Sequence, residues 1–306
     1  VVAAARPLVV IAGATGVGKT ATAVALAARL PIEVISADSR QVYRGLDLGT
    51  AKPTPGERAA VPHHLIDIAE PDERYNAARF RADAAHAVSS VRARGRLPVV
   101  VGGTGLYIRA LLRGLDPAPP ADPEFRARLM AEAQRSGRGA LHDRLRSAAP
   151  TLAARLHPND SVRVIRALEL IRAGPVAMAA WAHPHVDFPL VYIGLTMDRG
   201  RLVGRLRARC VAMVGAGLAS EVKDLLGRGY DESLPALQGI GYRDFARVVR
   251  GMTNTEEALH RMQRDTIRYA KRQMTWFQRE AALEWIDVEK HGGPEGVAAV
   301  LEARLA

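Results

Sequence analysis

Between residues 8 and 101 the chain sets short unbroken apolar runs among longer stretches of helical period. The runs are L-V-V-I at 8–11, E-V-I-S at 33–36 and P-V-V-V at 98–101. A strand with one wet face alternates polar and apolar residues; these runs do not, so they predict parallel strands buried on both faces. An alanine-rich segment at 21–30 and an amphipathic one at 75–94 predict helices between them. V-Y-I-G-L at 191–195 returns to strand character and is expected to close the sheet. Long basic helical patterns follow over 199–228 and 256–279, then a short strand at 284–288 and a last helix.

The texture changes in the middle. The breaker cluster P-A-P-P at 117–120 precedes arginine-rich helical segments at 123–136, 138–148 and 161–173. This predicts a helical insertion domain over 115–189. It would interrupt an α/β core made of 1–114 and 190–306.

The first apolar run leads straight into Gly13-Ala14-Thr15-Gly16-Val17-Gly18-Lys19-Thr20. G-x-x-x-x-G-K-T between a strand and a helix is a phosphate-binding P-loop. Backbone amides curl around a phosphate, Lys19 adds a full charge, and the Thr20 hydroxyl is a candidate Mg²⁺ ligand. The expected fold is therefore α/β: a P-loop NTPase-like parallel sheet flanked by helices, with a helical insertion. The loop is equally a nucleotide-binding or ATP-binding signature, so it predicts a di- or triphosphate without choosing between them.

Charge narrows the partner. Among 306 residues the formal net charge is +11. Such an excess predicts a polyanion, nucleic acid first and an anionic membrane surface second. A coding bias toward arginine would explain arginine over lysine but not basic over acidic. No run approaches the roughly 20 apolar residues of a membrane span. A single cysteine, Cys210, excludes an intramolecular disulfide and a cysteine zinc cluster.

Further polar clusters lie at the expected strand ends, where ligands of such sheets sit. Asp38, after the second strand, reads as a general base or a water-mediated Mg²⁺ ligand, or as a helix cap. Gln41 can pair with an adenine edge or sit in a solvated turn. His63 and His64 lack a third spaced ligand and predict no zinc site. Gly102-Gly103-Thr104-Gly105 would let a ligand approach the backbone and project Thr104 into a cleft. Arg163, Arg166 and Glu169 share a helix face, as a phosphate clamp or as internal ion pairs. Arg205 and Arg209, one turn apart, could reach a pyrophosphate from the side opposite Lys19. Arg268, Lys271 and Arg272 interleave with Tyr269, Trp276 and Phe277, either to grip RNA or with the aromatics in the core.

Taken in order, these pieces resemble the bacterial tRNA dimethylallyltransferases, the isopentenylpyrophosphate transferase family. The series is G-A-T-G-V-G-K-T (13–20), D-S-R-Q-V-Y-R (38–44), G-T-A-K-P (49–53), P-H-H-L (62–65), G-G-T-G-L-Y (102–107), N-D-x-x-R-x-x-R-A-L-E (159–169), Q-G-I-G-Y (238–242) and Y-A-K-R-Q-x-T-W-F (269–277). The resemblance implies transfer of a dimethylallyl group from dimethylallyl diphosphate to N6 of the adenine just 3′ of the anticodon, in tRNAs reading codons that begin with U. It assigns the P-loop to the diphosphate rather than to ATP, with Mg²⁺ as cofactor. Asp38 becomes the general base, and Lys19, Thr104, Thr15 and Arg209 the other reaction-site residues. Asp38, Ser39, Arg40, Gln41, Thr104, Val162, Arg163, Val164, Ile165 and Arg166 become tRNA contacts. The insertion becomes the holder of the anticodon stem-loop. A cytoplasmic monomer with no membrane partner is expected.

Two stretches depart from the pattern: the P-loop lacks the G-P-T-A-S-G-K-T form of many members, and 174–189 fits poorly. Three other readings share part of the series: a P-loop kinase, an adenylate isopentenyltransferase, and a nucleotide-regulated RNA-binding module.

Overall fold

The computed structural model describes residues 7–115, 122–174 and 189–305. The breaker cluster at 117–120 and most of the poorly matching stretch, 175–188, lie outside the described residues. Contact density divides the chain into two compact units, one from Val1–Leu112 with Val186–Ala306 and the other from Arg113–His185.

The first unit is built on six parallel strands, β1 (Leu8–Gly13), β2 (Ile32–Ala37), β3 (His63–His64), β4 (Leu97–Gly102), β5 (Leu190–Thr196) and β6 (Glu284–Asp287), in the order β3-β2-β4-β1-β5-β6. The apolar runs became strands because both faces are covered. Val9, Ile11, Val34 and Val99 pack with α1 (Lys19–Ala27) and α13 (Pro294–Leu305). Leu8, Val10, Ile35 and Val100 pack on the other face with α3 (Ala77–Ala93) and α4 (Gly105–Arg113). Two-sided burial removes the polar alternation that an exposed sheet would show. The order reverses between β1 and β4, so their C-terminal ends open a crevice.

Three differences from the sequence reading follow from local causes. The expected helix over 199–228 is two helices, α9 (Arg199–Gly215) and α10 (Leu218–Gly227). Gly217 stands between them at φ +103, a left-handed conformation that glycine takes without steric cost. His63 and His64, for which the sequence shows no strand run, form β3, which adds to the sheet edge beside Val34 and Ile35. Short helices α2 (Pro55–Ala60) and α11 (Tyr242–Val249), too brief to show a period, join α12 (Thr255–Phe277) in this unit.

The second unit contains α5 (Pro123–Ser136), α6 (Arg138–Ala148), α7 (Pro150–Ala153) and α8 (Ser161–Ala173) around Leu129, Leu141, Leu145, Val164 and Leu168. Buried Glu169 accepts from Arg126 Nε at 2.7 Å, Arg166 Nη1 at 3.0 Å and the Asp122 amide at 3.1 Å. Among the described residues no helix is long and apolar enough to cross a membrane.

Candidate active site

At the C-terminal end of β1 the P-loop turns under Gly18, whose φ of +109 lets the chain enter α1 without a side-chain cap. Lys19 Nζ folds back to donate to the carbonyls of Gly13, at 3.0 Å, and Ala14, at 2.8 Å. Burial pulls its pKa down to about 8; the Asp38 charge opposes that fall and Arg209 adds to it.

Arg209, from α9, donates through Nη2 to the Thr15 hydroxyl at 2.7 Å. Its Nε is buried and has no hydrogen-bond partner among the described residues. Two sequestered cations face one carboxylate, Asp38, and carry an unspent donor. That surplus of buried positive charge is a fit for a multiply charged anion and a poor fit for a neutral ligand.

Asp38 stands one residue past β2. Its Oδ1 accepts from the amides of Arg40, at 2.8 Å, and Gln41, at 3.3 Å. No helix follows Asp38, so it closes a turn instead of capping the expected helix. One oxygen shapes the turn, and Oδ2 has no hydrogen-bond partner among the described residues. Thr104, before α4, accepts from the Ser39 amide at 3.1 Å. Tyr269, on α12, completes the wall, its phenol pushed up to about 12 by burial with the Asp38 charge adding.

Two clefts meet at these residues. One, of about 440 Å³, is lined by Lys19, Thr20, Ser36, Val101, Arg205 and Gln273. The other, of about 310 Å³, is lined by Ser39, Arg40, Gly239, Ile240, Arg243 and Met262. Thr15, Asp38, Thr50, Ala51, Arg209 and Tyr269 line both. The site thus has a chamber at the P-loop and a second chamber that share a neck containing Asp38.

The remaining sequence candidates divide. Gln41 spends its carboxamide inside the protein: Oε1 accepts from Ser36 Oγ at 3.1 Å, and Nε2 donates to the carbonyls of Ala51, at 3.1 Å, and Thr50, at 3.3 Å. Arg40 Nη1 donates to the carbonyls of Pro235 and Ala236. Val164 and Ile165 face the core of the helical unit and are 0% and 6% exposed, so their side chains do not form a contact surface. Both lie on the apolar face of α8, so any RNA contact at these positions would have to be made by the backbone. On the same helix Val162 is 79% exposed, Arg163 pairs with Asp160 and Arg166 with Glu169. Phe277 is core, while Trp276 packs under the Arg109 guanidinium at 4.4 Å. His64 bonds Glu33 and His63 bonds the Val61 carbonyl. Among the described residues no group of three His, Cys, Asp or Glu could hold a metal ion.

Gln273 was not singled out in the sequence. Its Oε1 accepts from the Thr15 amide at 2.8 Å and its Nε2 donates to the Gly103 carbonyl at 2.9 Å. A Cβ at Gly103 would collide with it, which explains the need for glycine there. The signal lay in the helix pattern: Met262, Thr266, Ala270, Gln273 and Phe277 form the buried stripe of α12, and an amide among them needs partners.

Comparison with known proteins gives a consistent picture. The family model described as IPP transferase matches residues 41–280, and one described as isopentenyl transferase matches 7–68. The chain is 49% identical over 285 residues to a protein of Syntrophotalea carbinolica named tRNA dimethylallyltransferase 1, covering 92% of this chain and 91% of that one. It resembles the crystal structure of the tRNA isopentenylpyrophosphate transferase of Bacillus halodurans with a TM-score of 0.72 at 42% identity, covering 98% and 97% of the two chains. A structure described as a eukaryotic dimethylallyltransferase acting on tRNA gives 0.76 at 26% identity, over 92% of this chain and 74% of that one.

Proposed function

The chain belongs to the IPP transferase family, and we propose that its two chambers bring dimethylallyl diphosphate and a tRNA adenine together at Asp38. The reaction is transfer of the dimethylallyl group to N6 of the adenine 3′ to the anticodon, giving the prenylated tRNA and diphosphate. The observation that carries the site assignment is the neck: Asp38 belongs to the walls of both clefts, with Arg209 beside it in both and Lys19 in the P-loop cleft.

In this reading the diphosphate lies against the P-loop amides of 13–20, with Lys19 and Arg209 on it. The Arg209 Nε, orphaned in the protein alone, gains its acceptor. The adenine enters from the chamber lined by Ser39, Arg40 and Ile240. It must leave the anticodon-loop stack to do so, as a base modified in a buried site requires. N6 attacks C1 of the allyl group while the C1–O bond breaks and its electron pair departs with the diphosphate. Lys19, Arg209 and the amides stabilise that charge. Asp38 Oδ2 takes the proton from N6 as the N–C bond forms. The adenine amine is a weak nucleophile, so positioning by Thr104 and the neck carries much of the rate.

Mg²⁺ fits as an ion that arrives with the diphosphate. Thr20 lines the phosphate chamber and would supply a hydroxyl ligand beside phosphate oxygens and water. Such an ion would add charge neutralisation for the leaving group. The helical unit of 113–185, with Val162, Arg163 and Arg166 on α8, is proposed to hold the anticodon stem-loop. The cytoplasm, where tRNA is modified, is the proposed location.

The test is incubation with labelled dimethylallyl diphosphate and, separately, tRNA, AMP or ATP. Label in tRNA is the expected result. Label in AMP instead, or turnover of ATP without donor, would overturn the reading.

A further inference from the structure

Thr50 and Ala51 line both clefts together with Asp38 and so form part of the wall of the neck. These residues belong to an irregular stretch whose own turn bonds, Thr50 Oγ1 to the Leu46 carbonyl and the Ala51 amide to the Leu48 carbonyl, fix its shape but not its place. Three sets of contacts set its place. Gln41 takes both their carbonyls. Lys52, buried with its Nζ on the Tyr43 carbonyl and Asp47 Oδ1, each at 2.6 Å, and on Asp67, anchors the far end. The near end is gripped by two residues from elsewhere in the chain. Glu221, on α10, accepts the Leu48 amide through Oε2 at 2.8 Å. Tyr242, first residue of α11, accepts the Gly49 amide at 3.1 Å and donates its own hydrogen to Glu221 Oε1 at 2.5 Å. The backbone comes close against the tyrosine ring: a Cβ at Gly49 would stand 2.5 Å from Tyr242 Cε2. Tyr242 is 1% exposed, so the grip is made in the dry interior.

We propose that Tyr242 and Glu221 are positioning residues for the transfer step, which clamp the Leu48 and Gly49 amides, hold the Thr50–Ala51 wall against Asp38, and so keep water from the allyl donor. This rests on the prenyl-transfer reading above. An allyl diphosphate poised for attack by a weak amine is also open to attack by water. In that side reaction the C1–O bond breaks, its electron pair leaves with the diphosphate, and water oxygen bonds C1. The proton lost from water passes to the departing diphosphate, giving dimethylallyl alcohol. Exclusion of water is what prevents such leakage in closed sites. A wall held by hydrogen bonds to two amides has little freedom to open. Without those bonds it keeps Gln41, its far end and its own turn bonds, Thr50 Oγ1 to the Leu46 carbonyl at 2.6 Å and the Ala51 amide to the Leu48 carbonyl at 3.0 Å, and these turn bonds move with the segment that Glu221 and Tyr242 would release.

The experiment measures how consumed donor divides between prenylated tRNA and dimethylallyl alcohol. Tyr242→Phe removes one oxygen and Glu221→Gln one charge. Gly49→Ala leaves both gripping side chains intact and pushes the loop off the ring. In each variant that melts like the parent, the alcohol share is expected to rise about fivefold. The kcat for transfer is expected to fall about tenfold, with pyrophosphate affinity unchanged because the P-loop is untouched. A merely structural role would lower yield or melting temperature without moving the product ratio. A folded variant with slow transfer and the parental ratio would overturn the proposal. A parent enzyme that prenylates no tRNA would instead overturn the reading on which it rests.

Discussion

The carboxamide of Gln273 accepts the Thr15 amide at 2.8 Å, joining the last long helix to the first loop of the chain. Its other end donates to the Gly103 carbonyl, so one side chain ties together the C-terminal ends of β1 and β4. Thr15 is then held at its amide by Gln273 and at its hydroxyl by Arg209. The P-loop is held in place from the far end of the sequence.

Gln273→Leu should therefore loosen the P-loop. Leaving the Thr15 amide and Gly103 carbonyl unpaired in a buried place should cost about 1–3 kcal/mol of stability. Pyrophosphate affinity, followed calorimetrically, is expected to fall about tenfold, since preorganisation rather than a direct contact is lost. Unchanged affinity in a folded variant would refute the role.

Asp38→Asn keeps an acceptor for the Arg40 and Gln41 amides while removing the base. Single-turnover prenyl transfer is expected to slow by about 10²–10⁴-fold. Filter-binding affinity for tRNA should stay within a fewfold of the parent. Near-parental turnover would show that another group takes the N6 proton.

The Lys19 pKa is lowered to about 8, chiefly by burial. Below that pH it is charged and ready for the diphosphate; above it, binding must first recruit a proton. Relative to Lys19→Arg, which stays charged, pyrophosphate affinity of the parent is expected to weaken about tenfold from pH 7 to pH 9. The same depression makes the free protein gain stability as pH rises from about 8 toward 10.5, where the unfolded chain holds the extra proton. Parallel pH profiles for parent and variant would refute it.

Glu33, buried on β2, is held down to about pH 2, first by its hydrogen bonds from Arg94, against the cost of burial, and further by His64. A depressed carboxylate stabilises the fold above its unfolded pKa of about 4.5 and loses that contribution as pH falls through about 2. Glu33→Gln should cost about 1–2 kcal/mol at pH 7, a figure reduced because Arg94 is half exposed. The difference from the parent should shrink steadily in denaturant titrations below pH 4.

What the chain declares by itself is local in origin. Unbroken apolar runs state that the strands are parallel and covered, because burial on both faces leaves no polar alternation. The P-loop is readable because strand, glycines, Lys19 and the helix start are contiguous, and the Asp38 turn because it closes within three residues. The break at Gly217 was missed because a helical period continues through it. β3 and α11 were missed because two and eight residues carry too little pattern. Only the tertiary structure decided which polar residues face the site. It turned Gln41 inward onto the Thr50 and Ala51 carbonyls and sank Val164 and Ile165 into a core. It also brought Gln273, Tyr242 and Glu221 to backbone amides far away in sequence. Those assignments depend on which buried amide needs an acceptor in three dimensions, a demand that appears once distant segments pack and water is excluded.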